Sequence, residues 1–162
     1  MPLSLLTPDY DVPLVPIHMN CVMPPMPAPA RCFEVGRVIA DIIRRCRPAG
    51  ERVAIMATGG LSHDPGGPKY FQVDESFDRW FLDLLAQGDA ARVLREVTIE
   101  RMVAAGDGGT TELLAWLVAL GMVGDRKART ICYEPTAGAA QRHGRGDLAA
   151  RHGGGVNRRM LR

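Results

Sequence analysis

The sequence predicts an α/β domain, a mixed sheet with packed helices. Short apolar runs at residues 12–19 (VPLVPIHM) and 52–57 (RVAIMA) bracket an amphipathic stretch at 30–46, and a third strand-like run, RTICYE at 129–134, follows further helical patterns. Strand–helix–strand order is the pattern of an α/β layer. The chain has 162 residues, 46% hydrophobic and 23% charged, which suits one domain with its own core.

Residues 1–11 hold two prolines and read as a loop. Residues 12–19 are apolar at nearly every position, as in a buried strand, although Pro13 and Pro16 each remove a ladder donor. Four prolines make 20–29 an extended loop. From 30 to 46, Val35, Val38, Ile39, Ile42, Ile43 and Cys46 recur at helical spacing, and Pro48-Ala-Gly50 ends the helix. This helix is expected to lie across strands 12–19 and 52–57, burying Val35, Ile39 and Ile42. Residues 58–73 (TGGLSHDPGGPKYFQV) form a long Gly/Pro-rich loop, of a length that is usually functional or mobile. Phe77, Trp80, Phe81, Leu84 and Leu85 define a helix over 76–86, broken by Gly88. Residues 89–105 read as one or two helices, with Thr98 as a cap for the second. Residues 110–122 are apolar almost all round, as in a buried helix.

The formal charge of +2 is uneven. Residues 141–162 carry six arginines and one aspartate, a net +5 that leaves the rest of the chain at −3. Basicity is therefore confined to a patternless tail, expected to be disordered over 139–162. That tail has no aromatic residue to stack bases, which argues against a nucleic-acid partner. The four cysteines form no C-x-x-C pair, so free thiols in a reducing compartment are expected rather than a zinc site or a disulfide framework. There is no signal-peptide pattern and no membrane-length apolar run, so the expectation is a soluble, cytoplasmic protein.

Two residues stand out as chemistry. His63 follows Gly59 and Gly60 just past a strand-like run, where ligands bind in α/β sheets and where glycines let backbone approach a ligand. It could move a proton near neutral pH, or it could be a loop histidine bonded to backbone. Glu112 lies in the first turn of the apolar helix. It could be a metal ligand on a rigid element, or a carboxylate favoured by the helix dipole. His18 alternates with apolar neighbours and reads as a packed or edge histidine. No P-loop, G-x-S-x-G, H-E-x-x-H or dinucleotide fingerprint occurs.

The blocks VPLVPIHMNCVMPPMP, ARCFEVGRVIADII, RVAIMATGGLSHDPGGP, SFDRWFLDLLAQGD, GGTTELLAWLVALG and ICYEP, in that order, resemble the class III extradiol ring-cleavage dioxygenases. The best-known member of that family is the β subunit of protocatechuate 4,5-dioxygenase. The resemblance covers roughly residues 2–138 and implies the C-terminal part of a catalytic domain. It implies ring cleavage of catecholic compounds with non-haem Fe(II) and O₂. It implies that His63, in GGLSH, is the acid/base histidine and that Glu112, in TTELLAW, is the glutamate ligand of the iron. A loop such as 64–73 could limit water at that site.

In the family the two iron-binding histidines lie upstream of the segment that begins here. The resemblance therefore implies an enzyme that is truncated and inactive as this chain alone, with a homo-oligomer or a small partner subunit as possible company. The alternative is a non-catalytic remnant or interaction subunit that keeps the fold without iron. The Gly- and Arg-rich tail departs from the family and has the character of a shifted reading frame. The sequence does not name the catechol.

Overall fold

In the computed structural model, residues 7–9 and 11–135 are described. The tail 139–162 and most of the loop expected at 1–11 lie outside them. Five helices form among these residues: α1 (Pro29–Cys46), α2 (Glu75–Gln87), α3 (Ala90–Glu96), α4 (Ile99–Ala105) and α5 (Leu113–Val123), the last preceded by a 3-10 turn, Thr110–Glu112. None is long and apolar enough to cross a membrane.

The helix boundaries follow local chemistry. Pro29 opens α1, where a missing N–H costs nothing. Asp74, Asp89 and Thr98 cap α2, α3 and α4, accepting from the backbone N–H of Phe77 (2.9 Å), Arg92 (2.8 Å) and Arg101 (3.2 Å). Gly88, at φ 70°, closes α2. The stretch 89–105 is thus two helices, with Thr98 as the second cap.

The expected mixed sheet is not there: the described residues contain no strand. The runs 12–19, 52–57 and 129–134 are irregular, without a ladder partner. Apolarity reports where side chains would like to be; a strand also needs a neighbour for its N–H and C=O groups. Without one, Leu14, Val15 and Ile17 stay 58%, 82% and 55% exposed.

The inward face of α1 is also corrected. Val35 and Ile42 are exposed and Ile39 is only partly covered, while Cys32, Gly36 and Ala40 are buried. That line of small residues faces α5. A Cβ on Gly36 would run into the Val118 carbonyl and meet Cα of Gly121 at 3.0 Å; a Cβ on Gly121 would run into the Phe33 carbonyl. Two glycines thus let the α1 and α5 backbones touch. The larger side chains of α1 lie on a neighbouring arc of the helix.

On its other sides α5 meets the rest of the core. Leu113, Leu114 and Leu117 are fully buried, together with Phe81, Leu84, Val93 and Met102. Phe81 packs edge-on against Trp116, with centroids 5.9 Å apart. The α5 start is therefore firmly packed, and Glu112 ends the 3-10 turn that leads into it.

Gly36→Ala should lower stability. Helix propensity favours alanine by about 0.8–1.0 kcal/mol, but overpacking typically costs about 1–3 kcal/mol, and the clash here is with backbone. Denaturant midpoints should show a loss for Gly36→Ala and none for Gly50→Ala, where an added Cβ meets nothing within 4 Å. Equal midpoints would contradict this packing.

Candidate active site

The GGLSH segment, residues 59–63, lies between the first turn of α2 and the 3-10 turn before α5. Each residue is tied. The Trp116 indole N–H donates to the Gly59 carbonyl at 3.3 Å. The Gly60 N–H donates to Glu112 Oε2 at 3.0 Å. The Ser62 N–H donates to Asp78 Oδ1 at 2.7 Å, and Ser62 Oγ accepts from the Asp74 N–H at 2.8 Å. The His63 N–H donates to Thr110 Oγ1 at 3.2 Å, and that hydroxyl lies 3.3 Å from the His63 carbonyl, to which it donates.

Glycine is needed at Gly59, where φ is 139° and a Cβ would meet Glu112 at 3.0 Å. It is needed again around the imidazole. A Cβ on Gly60 would lie 2.7 Å from His63 Cε1, and one on Gly109 would lie 2.6 Å from Cδ2. Glycines on both sides make the slot that holds the ring.

The ring's tautomer follows from its partner. His63 Nδ1 lies 2.7 Å from the Leu61 carbonyl. A carbonyl only accepts, so Nδ1 carries the proton in the neutral ring. Nε2 then holds a lone pair, and it points toward Glu112, whose Oε2 is 3.9 Å away. That separation is beyond hydrogen-bond reach. The side chains of His63 and Glu112 are 37% and 38% exposed, so both are open to an incoming molecule. The structure brings these two sequence-selected residues together across 49 positions. His18 is exposed and outside the pair; His143 and His152 lie beyond the described residues.

Sequence reasoning passed over four neighbours. Cys21 is one: its thiol is pushed up, first by burial and then by the Glu112 carboxylate, which places it within electrostatic reach of the site. Thr110 is the second. Asp78 and Tyr133 are the others: Asp78 is 1% exposed, and its Oδ2 accepts the Tyr133 phenol at 2.8 Å. One signal was available for Asp78. It falls nearly in line with Leu85, seven residues on, beside the apolar stripe of α2. All four cysteines are free.

The loop after His63 is a series of turns. Asp64, 3% exposed, accepts from the Lys69 N–H at 2.8 Å, and its carbonyl accepts from the Gly67 N–H at 3.1 Å. The Lys69 ammonium donates to the Ala104 carbonyl, fastening the loop to α4. A cavity of about 340 Å³ lined by Trp80, Arg101 and Ala105 lies apart from His63 and Glu112.

The family defined as the catalytic LigB subunit of aromatic ring-opening dioxygenase matches residues 1–141. The chain belongs to this family. It is 32% identical over 123 residues to a gallate dioxygenase of Pseudomonas putida, covering 74% of this chain and 35% of that protein. It is 34% identical over 109 residues to a 2,3-dihydroxyphenylpropionate/2,3-dihydroxicinnamic acid 1,2-dioxygenase of Paraburkholderia xenovorans, covering 65% and 34%. It is 40% identical over 75 residues to a second enzyme of that name from Pseudomonas putida, covering 45% and 23%. The chain thus spans about a third or less of these LigB-family relatives.

The Tyr133 phenol should titrate late. Burial and the bond to Asp78 push it up from 10.0 to about 12. A folded pKa above the unfolded one means the stabilisation is present below pH 10 and is lost as pH rises toward 12. In an absorbance titration, the phenolate signal removed by Tyr133→Phe should appear near pH 12, and the wild-type stability advantage over that variant should vanish on the same rise. A Tyr133 signal at the ordinary value would contradict the bond to Asp78.

Proposed function

We propose that this chain is the part of an extradiol aromatic ring-cleaving dioxygenase that supplies the acid/base histidine and one carboxylate ligand. The observation that carries the reading is the convergence of His63 Nε2 and Glu112 Oε2, 3.9 Å apart and open to solvent, in a member of the LigB family. The substrate class is a catechol-type aromatic. The relatives' names point to gallate or 2,3-dihydroxyphenylpropionate rather than to protocatechuate. Residues 1–138 would belong to the catalytic domain. The four free thiols support a reducing compartment such as the cytoplasm.

In this reading His63 does the proton work. With Nδ1 held by the Leu61 carbonyl, Nε2 can take a proton only from the side facing Glu112. A catechol hydroxyl seated there is within reach of it, and the same atom can return the proton later. Glu112 is oriented by the Gly60 N–H, which leaves Oε1 for another partner.

Non-haem Fe(II), with O₂ as co-substrate, is the cofactor this reading calls for. The described residues do not fit a complete site for it. They contain no group of three or more His, Cys, Asp or Glu that could hold a metal ion. Glu112 offers one ligand, and two histidine ligands have no counterpart among the described residues. We therefore infer that the remaining ligands come from other polypeptide. The same incomplete donor set favours a second reading, a non-catalytic LigB-family subunit that binds a partner without iron.

The test adds Fe(II) anaerobically to the chain, then gallate, 2,3-dihydroxyphenylpropionate or protocatechuate, then air. No ring-opened product should form. Product should form once a polypeptide carrying the rest of a relative's catalytic domain is supplied. His63→Phe should then lower turnover by about 10²–10⁴-fold, and Glu112→Gln should abolish iron retention. Turnover by the chain alone would refute the shared site, and no product in either case would favour the non-catalytic subunit.

A further inference from the structure

We propose that Asp78 is a positioning residue for His63, acting through Ser62. The inference deepens the reading of His63 as the acid/base group and rests on it. Asp78 sits on the first turns of α2, 1% exposed, and both carboxylate oxygens are used. Oδ1 accepts the Ser62 N–H at 2.7 Å, and Oδ2 accepts the Tyr133 phenol at 2.8 Å. Ser62 is gripped a second time, because its Oγ accepts the Asp74 N–H at 2.8 Å. The residue before His63 is therefore fixed at two points to the N-terminal end of α2.

This clamp bears on the ring as well as the backbone. His63 Nδ1 bonds to the Leu61 carbonyl, two residues back along the same turn. That bond requires the 61–63 turn to keep its shape, and Ser62 is the middle of the turn. Thr110 holds the His63 backbone from the opposite side. Asp78 and Thr110 together pin the turn between α2 and the 3-10 turn, and the pinned turn selects the Nδ1–H tautomer that leaves Nε2 free. Tyr133 seals the outer carboxylate oxygen and brings the ICYEP run to the same anchor. Groups that orient a functional side chain in this way act without touching the substrate.

The experiment reads the His63 tautomer directly, by long-range ¹H–¹⁵N NMR of the imidazole in the full chain without metal. Wild type should show the Nδ1–H signature. Asp78→Asn should keep it, because the amide oxygen can accept the Ser62 N–H while its NH₂ donates to the phenol oxygen. Tyr133→Phe should keep it, since the Ser62 bond remains. Asp78→Leu should lose it and give a mixed tautomer population. A folded Asp78→Leu chain with an unchanged His63 signature would overturn the proposal, even if its melting temperature fell. Should the leucine variant fail to fold, amide exchange in the unaltered chain decides: the Ser62 N–H must be protected, and rapid exchange there would overturn the clamp. No readout depends on turnover, so failure of the clamp and failure of the dioxygenase reading remain separate outcomes.

Discussion

The bond from the Gly60 N–H to Glu112 joins two parts of the chain that are 52 positions apart. It requires glycine at position 59, where φ is 139° and a Cβ would crowd Glu112 at 3.0 Å. It also requires a rigid start to α5, which the buried leucines and the Trp116 contacts provide. The glycines of GGLSH therefore do structural and chemical work together. They let the loop backbone close on the carboxylate, and they leave the slot in which the imidazole stands.

Much of the helical content was legible in the sequence. The stripe Phe77, Trp80, Phe81, Leu84 located α2, and Thr98 was readable as a cap because its hydroxyl precedes a helical pattern. The pair His63 and Glu112 was readable as two candidates from position and resemblance. Their meeting follows from the resemblance alone, which puts both at one iron site; no local pattern in the sequence encodes a contact across 49 positions. Asp78 was hidden for a related reason: a single acid beside an apolar stripe reads as surface until Ser62 and Tyr133 are seen to bond to it.

The expected sheet failed on pairing rather than on composition. Residues 12–17 and 52–57 are as apolar as strands, yet the described residues give them no ladder, and Val53, Ile55 and Met56 remain 45%, 40% and 46% exposed. The buried face of α1 differs from the one its large aliphatic side chains predict, because helical periodicity does not register small residues as a packing surface. Its contact with α5 runs instead through Cys32, Gly36 and Ala40, where the gain is close backbone approach. The aliphatic arc of α1 and the two apolar runs are uncovered among the described residues, and surfaces of that kind favour association.

The central claim is that His63 and Glu112 share one site. Nuclear Overhauser contacts in the isotopically labelled chain test it most directly. The account predicts cross-peaks between the His63 ring protons and the Glu112 side chain, as expected from a 3.9 Å separation of Nε2 and Oε2. A folded chain in which His63 shows contacts to other side chains and none to Glu112 would contradict it.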